Sequence, residues 1–444
     1  MSSTTCSRVL SLTSHSWASL YASGNERVKA GMLDLAKMKL SCGEPTSEQA
    51  QVAALGLRVI LEFDIAREIA RAYDEKLVDS YMHIAFVVPA HREYLRRGTP
   101  SEPILAEASA HLLSDGCSLA SRAPDLLAQL LANGLLARGE RGELVGRLLW
   151  TIAHDHAIQK LGSIDKPELR YHQPILVLDW LKCMISPRWH SVVFEAKPVA
   201  DPDGMTLREA FQGVYLNFSH FVRAGDYAII GPKHLWMALV RHMAYQCADN
   251  QQSTDLVAPA HHGGAEAHIC IENTAPIFGQ IRNRQTSSEF LLNPCVGGEP
   301  KNNLPTLSLI HELGLQEAQV YPHPSVPAKQ LRPIGDRKPN IHLRHYQIHI
   351  EGCTHEAYGV IPQDKNHRYK SILAATKIDE DFPRKGSNVH REALLRLKPA
   401  FFAGEPVSLS WAIAMANSQS AKEKEMEKGK GKGKGKGKGK RKGK

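Results

Sequence analysis

The 444 residues carry 55 lysines and arginines against 46 aspartates and glutamates, a formal net charge of +9, with 43% hydrophobic residues. That length and balance suit a soluble globular chain of two to three domains with ample core, and no apolar run approaches the roughly 18 to 20 residues of a membrane span. The charge excess is local: residues 422–444 hold eleven Lys, one Arg and three Glu, leaving 43 basic and 43 acidic residues elsewhere, so a pI near 9.0 does not imply a basic groove in the body.

The opening, Met1 to Leu10, lacks a basic region followed by an apolar segment, so no secretory signal is expected and the chain reads as intracellular. Its eight cysteines are scattered without a Cys-x-x-Cys pair, which predicts reduced thiols and neither a zinc finger nor a disulfide framework.

In chain order, residues 1–48 read as a disordered leader containing one short helix around Arg27–Lys39. Residues 49–165 read as a helical region. Val52, Leu55, Val59, Ile60, Phe63 and Ile69 suit one or two amphipathic helices, and Thr99 to Pro103 breaks the pattern. Helices follow at Ile104–Leu113, Ala123–Leu136 and Glu140–Ile158, the last carrying the stripe Leu144, Val145, Leu148, Leu149 and Ile152.

Residues 166–415 read as a mixed α/β domain. Helices are predicted at Pro174–Met184 and Met205–Val222, and over 232–249, where Leu235, Leu239, Met243 and Cys247 recur every four residues. A short helix is predicted over Pro305–Gly314, a strand over Asn340–Ile350 with a neighbour at Ala357–Ile361, and a helix over Val389–Leu397. From 416 the chain becomes a Lys/Gly alternation, predicted to be disordered because glycine at every second position prevents a stable helix and the lysines repel.

The region richest in chemistry lies between 232 and 284. Asp255 opens the apolar run 254–259, and a second run, Ala275 to Arg284, carries Gln280 and Arg282 two residues apart, hence on one face of a strand. Helix, strand opened by Asp, then strand bearing Gln-x-Arg resembles the restriction-endonuclease-like, or PD-(D/E)XK, nuclease superfamily, with Asp255 at the aspartate, Gln280 at the Glu/Gln position and Arg282 at the lysine position. The run from Gln246 through Asp255 to Arg284 is also similar to large proteins of mushroom-forming fungi related to Crinkler-type architectures, which pair a P-loop ATPase with a nuclease-like domain; this likeness extends over 115–405. No Walker-type nucleotide-binding motif occurs here, nor a Gly-x-Ser-x-Gly elbow or His-Glu-x-x-His.

These resemblances imply an N-terminal helical region, a restriction-endonuclease-like mixed sheet with flanking helices, and a metal-dependent nuclease in which Mg2+ would be held by Asp255 and the Gln280 carbonyl oxygen. Asp255, Gln280 and Arg282 would be the catalytic set. Arginine stabilises negative charge but cannot act as a base, so a competing reading is a non-catalytic binding or regulatory module that kept the fold.

Other candidates are His154-Asp155, as in one class of phosphohydrolase metal site, the pair His261-His262, and Glu209 as an upstream carboxylate. Each has a plainer reading as a core or surface residue. The polycation Lys422–Lys444 is expected to bind nucleic acid without sequence readout, by counterion release, and Lys438-Gly-Lys-Arg-Lys442 resembles a nuclear import signal.

Overall fold

The computed structural model describes residues 26–374 apart from 88–95, 138–139, 162–166, 227–229, 249–250, 252–253, 265, 285, 287–303 and 326–343. The helix expected at Val389–Leu397 and the tail from 416 lie outside the described residues.

Helices come first: α1 (Glu26–Ser41), α2 (Glu48–Val59), α3 (Glu68–Ser80), α4 (Pro103–Ser114), α5 (Leu119–Ala132) and α6 (Arg141–Lys160). An antiparallel hairpin of β1 (Ile84–Val87) and β2 (Arg96–Gly98) separates α3 from α4. Ser47 caps α2, its hydroxyl accepting from the Ala50 amide at 3.2 Å and so satisfying one of the orphan donors of the first turn. The short helix expected around Arg27–Lys39 is α1, which buries Met32, Leu33, Ala36 and Leu40 against α4, so from residue 26 onward the chain is folded rather than leader; residues 1–25 lie outside the described residues.

The second half is built on one mixed sheet. Its strands are β3 (Ile175–Leu176), β4 (Tyr215–Leu216), β5 (His220–Arg223), β6 (Met243–Gln246), β7 (Leu256–His261), β8 (Thr274–Arg282), β9 (Thr306–Glu312), β10 (Gln319–Pro322) and β11 (His345–Glu351). The order is β10-β11-β9-β8-β7-β4-β3, with β6 also pairing β7 and carrying β5 on its other side. Strands β11, β9 and β8 run parallel to one another, whereas β7 is antiparallel to β8.

Helix α6 covers one face of the sheet, and α10 (Pro232–Val240) the other, where Leu235 and Ala238 meet Val257, Phe278 and Ile310. Gly146 and Gly279 let α6 approach closely: a Cβ on Gly279 would lie 2.7 Å from the Trp150 ring, and one on Gly146 would lie 2.5 Å from Ile281. The N-terminal helices and the sheet share one large core within one compact unit, a second, smaller cluster lying under α10, so the boundary expected at 165/166 does not divide the core.

Several expectations change in the structure, and the cause is burial on both faces. The helix over 232–249 stops at Val240, turns through His242 at φ 54°, and continues as β6. A spacing of four is also a multiple of two, so Met243 and Cys247 fit a strand as well as a helix. Pro305–Gly314 is not a helix but β9, every residue of which is buried; a parallel strand covered on both sides shows no alternation.

Pro174–Met184 divides into β3 and α7 (Val177–Met184), α8 (His190–Phe194) follows, and Met205–Val222 holds only α9 (Leu207–Ala210) before β4 and β5. The strand expected over 340–350 is β11, but Ala357–Ile361 is a turn that meets Ile185 in an isolated bridge through Tyr358.

Candidate functional site

The β7/β8 register sets the site. Leu256 lies opposite Gly279, so Asp255, one residue before β7, falls beside Gln280. The Asp255 amide donates to the Gly279 carbonyl at 2.8 Å, and the Asp255 carbonyl accepts from the Cys247 amide at 2.8 Å, fixing the residue between neighbouring segments. Strand β8 runs past the start of β7, which leaves the Ile281 amide without a strand partner on that side. The Asp255 carboxylate takes its place: Oδ2 accepts from the Ile281 amide at 2.6 Å and from Gln280 Nε2 at 2.7 Å. Two of the three residues expected at the site are thus in direct contact.

Arg282 extends from the same face of β8, two residues beyond Gln280. Across the parallel pair its register partner is Glu312 of β9, with Nη1 3.9 Å from Oε1; the two side chains are 11% and 3% exposed. Sequence reasoning missed Glu312 because its strand reads as a helix. The available signal was an acid closing an apolar run, just as Asp255 opens one.

Burial pushes the Asp255 carboxyl up to about 7; the Ile281 amide opposes this, Glu143 of α6 adds to it, and Arg282 and Arg147 oppose it. Burial also lowers Arg282, aided by Arg284 and opposed by Glu312 and Asp255.

Magnesium takes about six oxygen ligands in near-octahedral geometry. At this site one carboxylate oxygen is committed to two N–H donors, and the glutamine directs its amide nitrogen, not its carbonyl oxygen, at that carboxylate. An arginine two residues along supplies positive charge on the same face. The donor set as arranged is a poor fit to the dication, and no group of three or more His, Cys, Asp or Glu among the described residues could hold a metal ion.

The other candidates are spent elsewhere. Glu209 closes a capping box at α9, accepting from the Thr206 amide at 2.7 Å and the Thr206 hydroxyl at 2.9 Å. His261 ends β7 and His262 follows it, both rings buried, that of His262 against Phe211. Asp155 forms a two-bonded ion pair with Arg58, at 2.6 and 2.8 Å, both side chains buried. His154 is wholly buried against Phe218, with Nδ1 3.8 Å from Asp155.

Beside that pair lies a second polar cluster: Glu107 accepts from the Tyr171 amide at 2.9 and 3.0 Å and contacts His172 and His111. These contacts, above all the hydrogen bonds from His111 and His172, outweigh burial and hold Glu107 down at about 2.

A domain family of unknown function, DUF8736, matches residues 46–167. No curated protein and no solved structure matches the chain. The matched segment spans α2 to α6; it supplies Glu143 and Arg147 beside Asp255 but none of Asp255, Gln280, Arg282 or Glu312.

Proposed function

We propose that this chain is a nucleic-acid-binding module built on a restriction-endonuclease-like sheet, with Asp255, Gln280 and Arg282 at the catalytic positions but no phosphodiester cleavage. The observation that carries this reading is the closed bond set at Asp255, whose Oδ2 is held by Gln280 Nε2 and the Ile281 amide at 2.7 and 2.6 Å. Hydrolysis at such sites relies on a dication to polarise the phosphate and a water, and this arrangement offers it one committed carboxylate and a misdirected amide. Arg282 cannot replace the missing base.

Binding then rests on Lys422–Lys444, where twelve basic residues face three acidic ones, while the remainder of the chain is formally neutral. A polycation of this kind binds phosphate backbones by releasing counterions, with strong salt dependence and no sequence readout. The same segment would serve nuclear import through Lys438 to Lys442. No helix among the described residues is long and apolar enough to cross a membrane.

The test uses the full chain with labelled mixed-sequence DNA and RNA in the presence of Mg2+. Salt-sensitive binding without cleavage is expected; Mg2+-dependent cleavage that Asp255→Ala abolishes would overturn the proposal. That second outcome is the alternative reading, a metal-dependent phosphodiesterase with Arg282 as charge stabiliser. It is favoured by the contact of Asp255 with Gln280 on one face of neighbouring strands.

A further inference from the structure

We propose that Arg282 takes the electrostatic place of a divalent cation on this face of the sheet, so that the chain carries a cation site closed by its own side chain. The inference rests on the restriction-endonuclease-like, non-cleaving reading above and supplies its physical cause. Three adjacent strands bring the parts together. Asp255 stands at the start of β7, Gln280 and Arg282 lie along β8, and Glu312 ends β9 directly across from Arg282.

Strand alternation puts Gln280, Arg282 and Glu312 on one face, and the Asp255 carboxylate, just before β7, accepts from Gln280 and from the Ile281 amide. Val257, Phe278 and Ile310, each at an even offset from one of these residues, pack together in the cluster under α10. The two acids thus stand on the strands either side of β8, and the Arg282 guanidinium lies 3.9 Å from the Glu312 carboxylate and within electrostatic reach of Asp255. Gln280 adds an amide whose oxygen could face a cation after a half-turn.

A dication and an arginine compete for the same charge. Glu312 and, above about pH 7, Asp255 offer two negative charges, and Glu143 adds a third near Asp255. Such a set in a half-buried place carries a large electrostatic cost unless a positive charge accompanies it. Arg282 supplies that charge covalently at fixed effective concentration, and its planar, always-protonated head is the side chain best suited to a buried carboxylate partner. While the guanidinium is there, an incoming dication meets a like charge a few ångströms away. With it gone, two carboxylates and an amide oxygen remain on one face, and these are the hard oxygen donors that Mg2+ or Mn2+ prefers.

The experiment measures Mn2+ binding to the full chain by electron paramagnetic resonance, comparing wild type, Arg282→Met, Arg282→Lys and the double variant Arg282→Met/Asp255→Asn. Arg282→Met should bind Mn2+ at least about tenfold more tightly than wild type, because a unit positive charge within a few ångströms of the acids has been removed. Arg282→Lys, which retains the charge, should remain close to wild type, and the double variant should lose the gain. Circular dichroism checks that each variant is folded, and Arg282→Gln provides the same readout if the methionine variant is not.

A folded Arg282→Met or Arg282→Gln chain with no gain in Mn2+ affinity overturns the proposal while leaving the non-cleaving reading intact. Tight Mn2+ binding by wild type that Asp255→Asn abolishes overturns both.

Discussion

Arg58 on α2 and Asp155 on α6, 97 residues apart in sequence, meet as a two-bonded ion pair with neither side chain exposed to water by more than 1%. Arg58 also donates through Nε to the Ser219 carbonyl at 2.9 Å, so one guanidinium joins two helices to the segment entering β5. The pair is dear to break and of little net worth to keep, because desolvation offsets most of the attraction. Asp155→Ala should destabilise the chain by about 3–5 kcal/mol, while Arg58→Met/Asp155→Leu should cost clearly less. Urea unfolding curves with a common slope would measure both, and equal costs would refute the account.

Gly279 is set against Trp150 so closely that a methyl group would lie 2.7 Å from the ring and 3.2 Å from Leu256. Gly279→Ala should therefore cost about 1–3 kcal/mol by overpacking. Gly31 on α1 is the control: a methyl there meets nothing within 4 Å, so Gly31→Ala should stabilise by about 0.5–1 kcal/mol through helix propensity. Thermal melts of the two variants should shift in opposite directions.

Buried histidines should make the fold acid-sensitive. Burial lowers His311 to about 3; Trp150 Nε1 donates to its Nε2 at 3.0 Å, leaving the ring proton on Nδ1 to face the Tyr358 hydroxyl at 2.9 Å. His220 and His242 are likewise held at about 3, by burial first and then by His172. Their folded values lie below the ordinary value of about 6.5, so as pH falls through 6.5 the unfolded chain takes up protons that the folded chain refuses. Stability is thus lost progressively from about pH 6.5 down to about 3. His311→Gln should flatten the slope of unfolding free energy against pH over this window, and an unchanged slope would count against the assignment.

Asp255 works in the opposite sense. Its folded value of about 7 lies above the ordinary 3.8, so the folded chain holds a proton that the unfolded chain has released, and stability declines as pH rises from about 4 to about 7. Asp255→Asn removes the titration. Relative to wild type, the variant should gain stability with rising pH across that interval, by as much as a few kcal/mol. The difference between the two unfolding free energies, measured at about pH 5 and about pH 7.5, is the check.

Removing 422–444 subtracts all nine units of net positive charge. The truncated chain should lose most of its affinity for mixed-sequence DNA and RNA, and the slope of log affinity against log salt should fall by several units. An unchanged slope would place a basic surface within the body instead.

Much of this protein could be read from its residues alone, and the legible parts share a cause. The stripe from Leu144 to Ile152 predicts α6 because its large aliphatic residues recur every three to four positions, although the helix is buried on nearly every side; the alternation ending in Ile350 predicts β11. Gln280 and Arg282 on one face followed from the period of a strand, and the family resemblance grouped Asp255 with them; the β7/β8 register sets Asp255 beside Gln280. Only the tertiary structure decided the rest. Met243 to Gln246 and Thr306 to Glu312 are covered on both faces, which erases the period that separates strand from helix. Parallel pairing of β8 with β9 places Glu312 across from Arg282 over thirty positions of chain, and no local pattern encodes a register. The same holds for Arg58 and Asp155: nothing local joins them, and it is the packing of α2 on α6 that excludes water and makes them a pair.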